Sequence, residues 1–275
     1  MDDVLRFSGV QADLVWENKE ANLQHLEEKI RGLAGKTQIV VLPEMFSTGF
    51  SMSAAKLAEN MEGETIRWMK RVAAESRVIV TGSVIIEDNG SYYNRLVWAL
   101  PNGEPGYYDK RHLFAYADEH SHYSPGGRRL IASAAGWKIN LLICYDLRFP
   151  VWSRQKIEDH GSDEAPASPE YDVLVYVASW PKKRIEAWKT LLRARAIENQ
   201  AFVIGVNRVG TDGNGIVYPG QSMVVDPAGE VLHAAGDETE VFTVPFERSR
   251  LTYVREKFPF WKDADGFLLT TKKRD

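Results

Sequence analysis

The chain has 275 residues, 44% hydrophobic and 26% charged, with 34 basic and 38 acidic side chains and a formal net charge of −4. So even a balance argues against a dedicated nucleic-acid surface, and no apolar stretch approaches the roughly 18 residues that a membrane span needs. The lone cysteine, Cys144, rules out an intramolecular disulfide and any cysteine-based metal cluster.

The opening segment, MDDVLRFSGV, is acidic and lacks the basic-then-apolar layout of a secretory signal, so the expected location is the cytoplasm. In chain order, apolar β-branched runs predict strands over 4–10, 38–42, 78–86, 95–100, 138–144, 172–178 and 202–207. Helical spacing falls between them. Residues 17–33 align Leu23, Leu26, Ile30 and Leu33, and 63–75 align Ile66, Met69 and Val72. Residues 184–199 do the same with Ile185, Trp188, Leu192 and Ala196. Strand–helix alternation predicts an α/β protein, and runs such as IVVL and LLIC, apolar at every position, predict strands buried on both faces. Hairpin-like pairs are expected near 216–226 and 230–246, at Gly and Pro-Ala-Gly turns. The chain reads as one domain over 1–275. Its irregular stretch, 155–170 (QKIEDHGSDEAPASPE), is expected to be a polar surface insertion.

Chemistry collects beyond the C-terminal ends of strands in such folds. Pro43-Glu44 follows IVVL, Cys144-Tyr145-Asp146 follows NLLI, and Ser179-Trp180-Pro181 follows VLVYVA. Tyr108-Asp109-Lys110 lies in a segment that reads as turn-rich, after Pro105-Gly106. A buried cysteine is ordinarily inert. It becomes a nucleophile when a base takes its proton or a cation stabilises the thiolate, and Glu44 and Lys110 are the charged groups suited to those tasks. His112, His120 and His122 crowd one polar segment, but His120 and His122 alone make a poor metal site, so no metal is expected.

The segments VVLPEMFSTGF, YDKRHLF and LLICYDLRFPVWSR, in that order, resemble the three catalytic blocks of the nitrilase superfamily of carbon–nitrogen hydrolases. Supporting blocks, among them YYNRLVWALPNG, DEHSHYSPG and ARAIENQAFVIGVNRVG, extend the resemblance over essentially the whole chain. It implies a four-layer α-β-β-α sandwich that pairs as a homodimer. It also implies Glu44 as general base, Lys110 as oxyanion stabiliser, Cys144 as nucleophile and Glu119 as a second supporting acid. No cofactor or metal is implied.

YDKRHLFAYADEH, CYDLRFPVWSRQ and REKFPFWKDADGF further resemble the bacterial omega-amidase group, which hydrolyses the terminal amide of 2-oxoglutaramate or 2-oxosuccinamate. The expected partner is therefore a small amide rather than nucleic acid or membrane. Its free carboxylate calls for a cation. Arg148 is the candidate, against the alternative of a structural pair with Asp146 or a backbone carbonyl. Phe114 and Trp180 are candidate pocket walls, and the Tyr145 backbone N–H is a candidate oxyanion donor. Gln221 stands where many relatives carry Asp and reads as structural. Alternatives are an N-carbamoyl amidase or deaminated-glutathione amidase with the same residues, and a non-catalytic binding protein on the same fold. A redox-sensor role for the thiol is disfavoured, since the chain has no resolving cysteine.

Overall fold

A computed structural model describes residues 3–158 and 167–270. The first half supplies β1 (Val4–Gln11), α1 (Lys19–Arg31), β2 (Ile39–Val41), α2 (Ala54–Leu57), α3 (Glu64–Ser76), β3 (Ile79–Asp88), β4 (Ser91–Ala99) and β5 (Gly106–Asp109). After α4 (Glu119–His122) come β6 (Ile131–Ala134), β7 (Trp137–Ile143), α5 (Pro150–Ser153), β8 (Ile157–Glu158), β9 (Ser168–Pro169) and β10 (Val173–Ala178). Then follow α6 (Ile185–Asn199), β11 (Phe202–Asn207), β12 (Val209–Thr211), β13 (Val217–Pro219), β14 (Met223–Val225), β15 (Val231–Ala234), β16 (Glu240–Glu247) and α7 (Arg248–Lys257).

Two six-stranded sheets result, ordered β16-β1-β2-β3-β4-β5 and β15-β14-β11-β10-β7-β6. The apolar runs divide between layers by their period of two. Along β2, Ile39 and Val41 join the core between the sheets, while Val40 and the following Leu42 join a second core under the helices. That second core holds Leu23, Leu26 and Ile30 of α1 against Ile66, Met69 and Val72 of α3. On the far side, Trp188, Leu192 and Ala196 of α6 pack on the other sheet. Each fully buried side chain of this size contributes roughly 1.5–3 kcal/mol, so the helical layers are held by burial more than by helix propensity. The architecture is the expected α/β sandwich of two sheets between helices.

Three expectations are corrected. Tyr108-Asp109 is not in a turn: Gly106–Asp109 pairs with β4, Tyr108 opposite Leu96 and Asp109 opposite Arg95. Pro105-Gly106 only starts that strand. Neither late hairpin forms as expected. β13 pairs with β12, and β14 pairs with β15 across the Pro227-Ala228-Gly229 turn. β16 crosses to the other sheet and pairs with β1 from Val241↔Val10 to Phe246↔Leu5. The cause is its alternating pattern, which buries Phe242, Val244 and Phe246 between the sheets. In the 155–170 segment, β8 pairs with β9, and Gln155 is buried and hydrogen-bonded to Asn199 and the Tyr171 N–H. The rest of that expectation, 159–166, lies outside the described residues. No helix among the described residues is long and apolar enough to cross a membrane.

Candidate active site

Four strand ends converge between the sheets. Glu44 follows β2, Lys110 follows β5, Cys144 follows β7 and Ser179 follows β10. β7 and β10 are parallel neighbours, which brings Cys144 and Ser179 out at the same edge. Gly82 on β3 lets the Glu44 loop lie flat on the sheet, since a Cβ there would stand 2.7 Å from the Phe46 ring and 2.9 Å from the Leu42 Cβ.

The Lys110 ammonium is buried between two carboxylates. It donates to Glu44 Oε1 at 2.7 Å and to Glu119 Oε1 and Oε2 at 3.0 and 2.9 Å. Ser179 N–H donates to the other Glu44 oxygen, Oε2, at 2.8 Å, which ties the two sheets together through the site. Phe114 N–H donates to Glu119 Oε2 at 2.6 Å. Burial alone would lower the Lys110 pKa, but the Glu119 and Glu44 carboxylates outweigh it and raise it, so Lys110 is an ammonium throughout the physiological range. The Glu119 pKa is raised, first by burial and also by Glu44, with Lys110 opposing.

Cys144 feels the charges of both Glu44 and Lys110. Burial, and then the Glu44 charge, push the thiol well above its ordinary value despite Lys110, so it is protonated at rest. Its backbone has φ of +43°, and Met45, next to Glu44, has +44°. Left-handed backbone at a non-glycine residue costs on the order of 1–2 kcal/mol and is held only where the surroundings enforce it. For Met45 the clamp includes Ser83, whose Oγ accepts the Met45 N–H at 2.8 Å. For Cys144 it includes Asp146. That carboxylate accepts the Ile143 N–H at 3.1 Å, the Tyr108 hydroxyl at 2.8 Å and the His112 N–H at 3.0 Å, and lies 2.8 Å from His112 Nδ1.

One pocket opens over Cys144. Its walls include Phe114 and Trp180, Tyr145 and Arg148 also line it, and Lys110 reaches it from below. The structure thus brings together all eight residues singled out from the sequence, with Glu119 directly behind Lys110. Arg148 makes no pair with Asp146, whose oxygens are otherwise engaged; its guanidinium stacks 5.0 Å from the Trp180 ring centroid. Gln221 is remote from the pocket and bonds Asp237, with its carbonyl accepting from Trp188 Nε1. His120 and His122 sit beside Asp118 on the surface, and no group of three or more His, Cys, Asp or Glu among the described residues is arranged to hold a metal.

Asn94 escaped the sequence reading. Wholly buried, it donates through Nδ2 to Glu44 Oε1 at 2.9 Å and to Glu119 Oε1 at 3.2 Å. The signal was available: an Asn one residue before the apolar run 95–100, inside β4, is out of character for a strand unless its amide has a task. Arg184 also escaped it and lines the same pocket.

The carbon–nitrogen hydrolase family model matches residues 8–256. The chain belongs to that family. This carbon–nitrogen hydrolase is 43% identical over 267 residues to the omega-amidase YafV of Escherichia coli strain K12, covering 96% of the chain and 98% of the relative. It is 33% identical over 259 residues to a 2-oxoglutaramate amidase of Bacillus subtilis strain 168, covering 93% and 96%. Among solved structures, the hydrolase superposes on XC1258 from Xanthomonas campestris, a CN-hydrolase superfamily protein with an arsenic adduct in its active site. The TM-score is 0.93 at 42% identity, covering 97% of this chain and 99% of that one.

Proposed function

We propose that this hydrolase cleaves the terminal amide of a small 2-oxo dicarboxylate monoamide, 2-oxoglutaramate or 2-oxosuccinamate, to the acid and ammonia through a thioester on Cys144. The observation that carries the reading is the buried Glu44–Lys110–Glu119 cluster beside Cys144, under a pocket with Arg148, which has no carboxylate partner among the described residues, in its wall. Relatives named for omega-amidase and 2-oxoglutaramate amidase activity, matched along nearly their whole length, support it.

In this reading Glu44 takes the thiol proton as Sγ attacks the amide carbon, because the resting thiol is neutral. Negative charge develops on the carbonyl oxygen, where Lys110 Nζ and the Tyr145 N–H stabilise it; one such donor in a dry site contributes about 3–4 kcal/mol. Collapse breaks the C–N bond, and Glu44 returns the proton to the departing ammonia. Water then attacks the thioester carbon and gives up a proton to Glu44, which passes it to the leaving sulfur. The sum is amide plus water to acid plus ammonia. Lys110 stays charged throughout, and Glu119 and Asn94 hold it and Glu44 in place. Arg148 takes the distal carboxylate, with Phe114 and Trp180 as walls. The reading includes one domain over the chain, supported by β16 closing onto β1, and a cytoplasmic homodimer, in keeping with the two-fold preference of soluble oligomers.

The test is ammonia release from 2-oxoglutaramate, succinamate, an N-carbamoyl amino acid, glutamine and an aliphatic nitrile. Turnover concentrated on the first two supports the reading. Preference for the N-carbamoyl compound or the nitrile overturns the substrate.

A further inference from the structure

The geometry points to Arg184 as a specificity-determining residue that, with Arg148, forms a two-guanidinium site for the carboxylate and keto oxygens of the substrate's distal end. The inference rests on the 2-oxo-acid reading above and extends it to a residue that the reading did not use.

Arg184 ends the 3-10 turn Lys182–Arg184 and occupies the N-cap position of α6. A cation there opposes the helix dipole and supplies no acceptor for the free amides of the first turn, so helix stability did not select it. Its neighbours Lys182 and Lys183 project into solvent. Arg184 is half-buried and lines the pocket, its guanidinium carbon 4.9 Å from the Phe114 ring centroid and 5.8 Å from that of Tyr116. Arg148 stacks on Trp180, and Trp180 Nε1 donates to the Arg184 carbonyl at 2.8 Å. The aromatic face that carries one arginine is therefore tied to the backbone of the other.

Neither guanidinium has a carboxylate or hydrogen-bond partner among the described residues. That sets them apart from arginines whose side chains are more deeply buried: Arg95 pairs with Asp109, Arg129 with Glu170, Arg195 with Glu198 and Arg255 with Asp172. Asp212, a carboxylate in the pocket lining, makes no ion pair with Arg148 or Arg184. Its oxygens accept from the Asn214 and Ile216 N–H groups, both at 2.9 Å, and from the Tyr218 hydroxyl at 2.9 Å. Each guanidinium carbon lies over an aromatic ring, and no described residue occupies the N–H edges of either group. Such edges match planar, bidentate acceptors, and a 2-oxocarboxylate offers carboxylate and keto oxygens in one plane.

The single cysteine provides a readout that needs no turnover. Cys144 is alkylated with iodoacetamide while 2-oxoglutarate is titrated as a protecting anion, and labelling is followed by intact mass. 2-Oxoglutarate is expected to protect the wild type, and Arg184→Gln is expected to need at least tenfold more of it. Arg184→Lys, which keeps the charge and loses the fork, should fall between them and serves alone if the Gln variant does not fold. Lys183→Gln is the surface control and should match wild type. In parallel, Arg184→Gln should lower kcat/KM for 2-oxoglutaramate at least tenfold more than for a neutral amide of similar length. Half-protection within twofold of wild type in Arg184→Gln, or no protection of the wild type, overturns the inference even where 2-oxoglutaramate is hydrolysed. Arg184-dependent protection without hydrolysis of 2-oxoglutaramate keeps the anion site and discards the substrate reading.

Discussion

Asn94→Ala removes a neutral donor that bridges both carboxylates of the site. Its amide bonds of 2.9 and 3.2 Å end on oxygens that are charged when the cluster is ionised. A hydrogen bond to a charged acceptor contributes about 1.5–3 kcal/mol; counting the shorter bond at the low end gives about 1.5 kcal/mol in favour of the ionised cluster. One pH unit corresponds to about 1.4 kcal/mol, so losing the bond should move the acid limb of kcat/KM up by about one unit. The limb belongs to the coupled cluster rather than to one residue. Glu44 keeps Lys110 and the Ser179 N–H as partners, so the high-pH plateau should stay within about threefold of wild type. At a pH on the wild-type limb the variant should be about tenfold slower. Asn94→Asp, which sets a third carboxylate against two, should lose far more at every pH. Ammonia release measured from pH 5 to 9 reads all three enzymes. An equal loss for Asn94→Ala at every pH, with the limb unmoved, would refute the electrostatic role and leave Asn94 as packing.

Three further outcomes follow from the same geometry. Burial and the Glu44 charge hold the Cys144 thiol above its ordinary value, so iodoacetamide labelling should keep accelerating through pH 9; a titration midpoint below pH 8 contradicts this. Asp146→Asn cannot accept all the bonds now made by Tyr108, His112 and Ile143, and should cost about 2–3 kcal/mol, or roughly 4–10 °C in Tm, along with most of the activity. A melting point within 1 °C of wild type would show that the turn at Cys144 does not depend on it. Glu27 joins α1 to α3 through Arg71 and Trp68, and the Arg71 hydrogen bond, outweighing burial, lowers its pKa from an ordinary 4.5. A lowered carboxylate stabilises the fold above its unfolded pKa and stops doing so as pH falls through the folded one. Because Arg71 is part-exposed, Glu27→Gln should cost only about 1 kcal/mol at pH 7, seen as a drop of roughly 2–4 °C in Tm, and the gap to wild type should be smaller at pH 3 than at pH 7. A gap of the same size at both pH values would mean that packing, not charge, is lost.

The parts of this fold legible in the sequence were those set by local period. The strands at 4–11, 173–178 and 202–207 and the three long helices stand within two or three residues of their apolar patterns, because burial on one face or both fixes that period. What the sequence hid were pairings decided elsewhere. β16 looks like the second arm of a hairpin with β15, yet its inward Phe242, Val244 and Phe246 find their layer only beside β1. β5 was obscured by Pro105-Gly106 because four residues are too few to show a period. In the site, Cys144, Glu44 and Lys110 stood out at strand ends and a turn, but only motif resemblance joined them and added Glu119, since spacings of tens of residues say nothing about contact. Asn94 was lost because β4 begins four residues before its apolar run, and Arg184 because its basic neighbours made it look like solvent-facing charge.

The proposed hydrolysis passes through a covalent intermediate at Cys144. The most direct test is the intact mass of the enzyme acid-quenched during turnover of 2-oxoglutaramate. The expected result is a species heavier by the substrate acyl group, seated on Cys144 and absent from Cys144→Ala, which releases no ammonia. An unmodified mass during turnover, with ammonia released at an undiminished rate by Cys144→Ala, would contradict it.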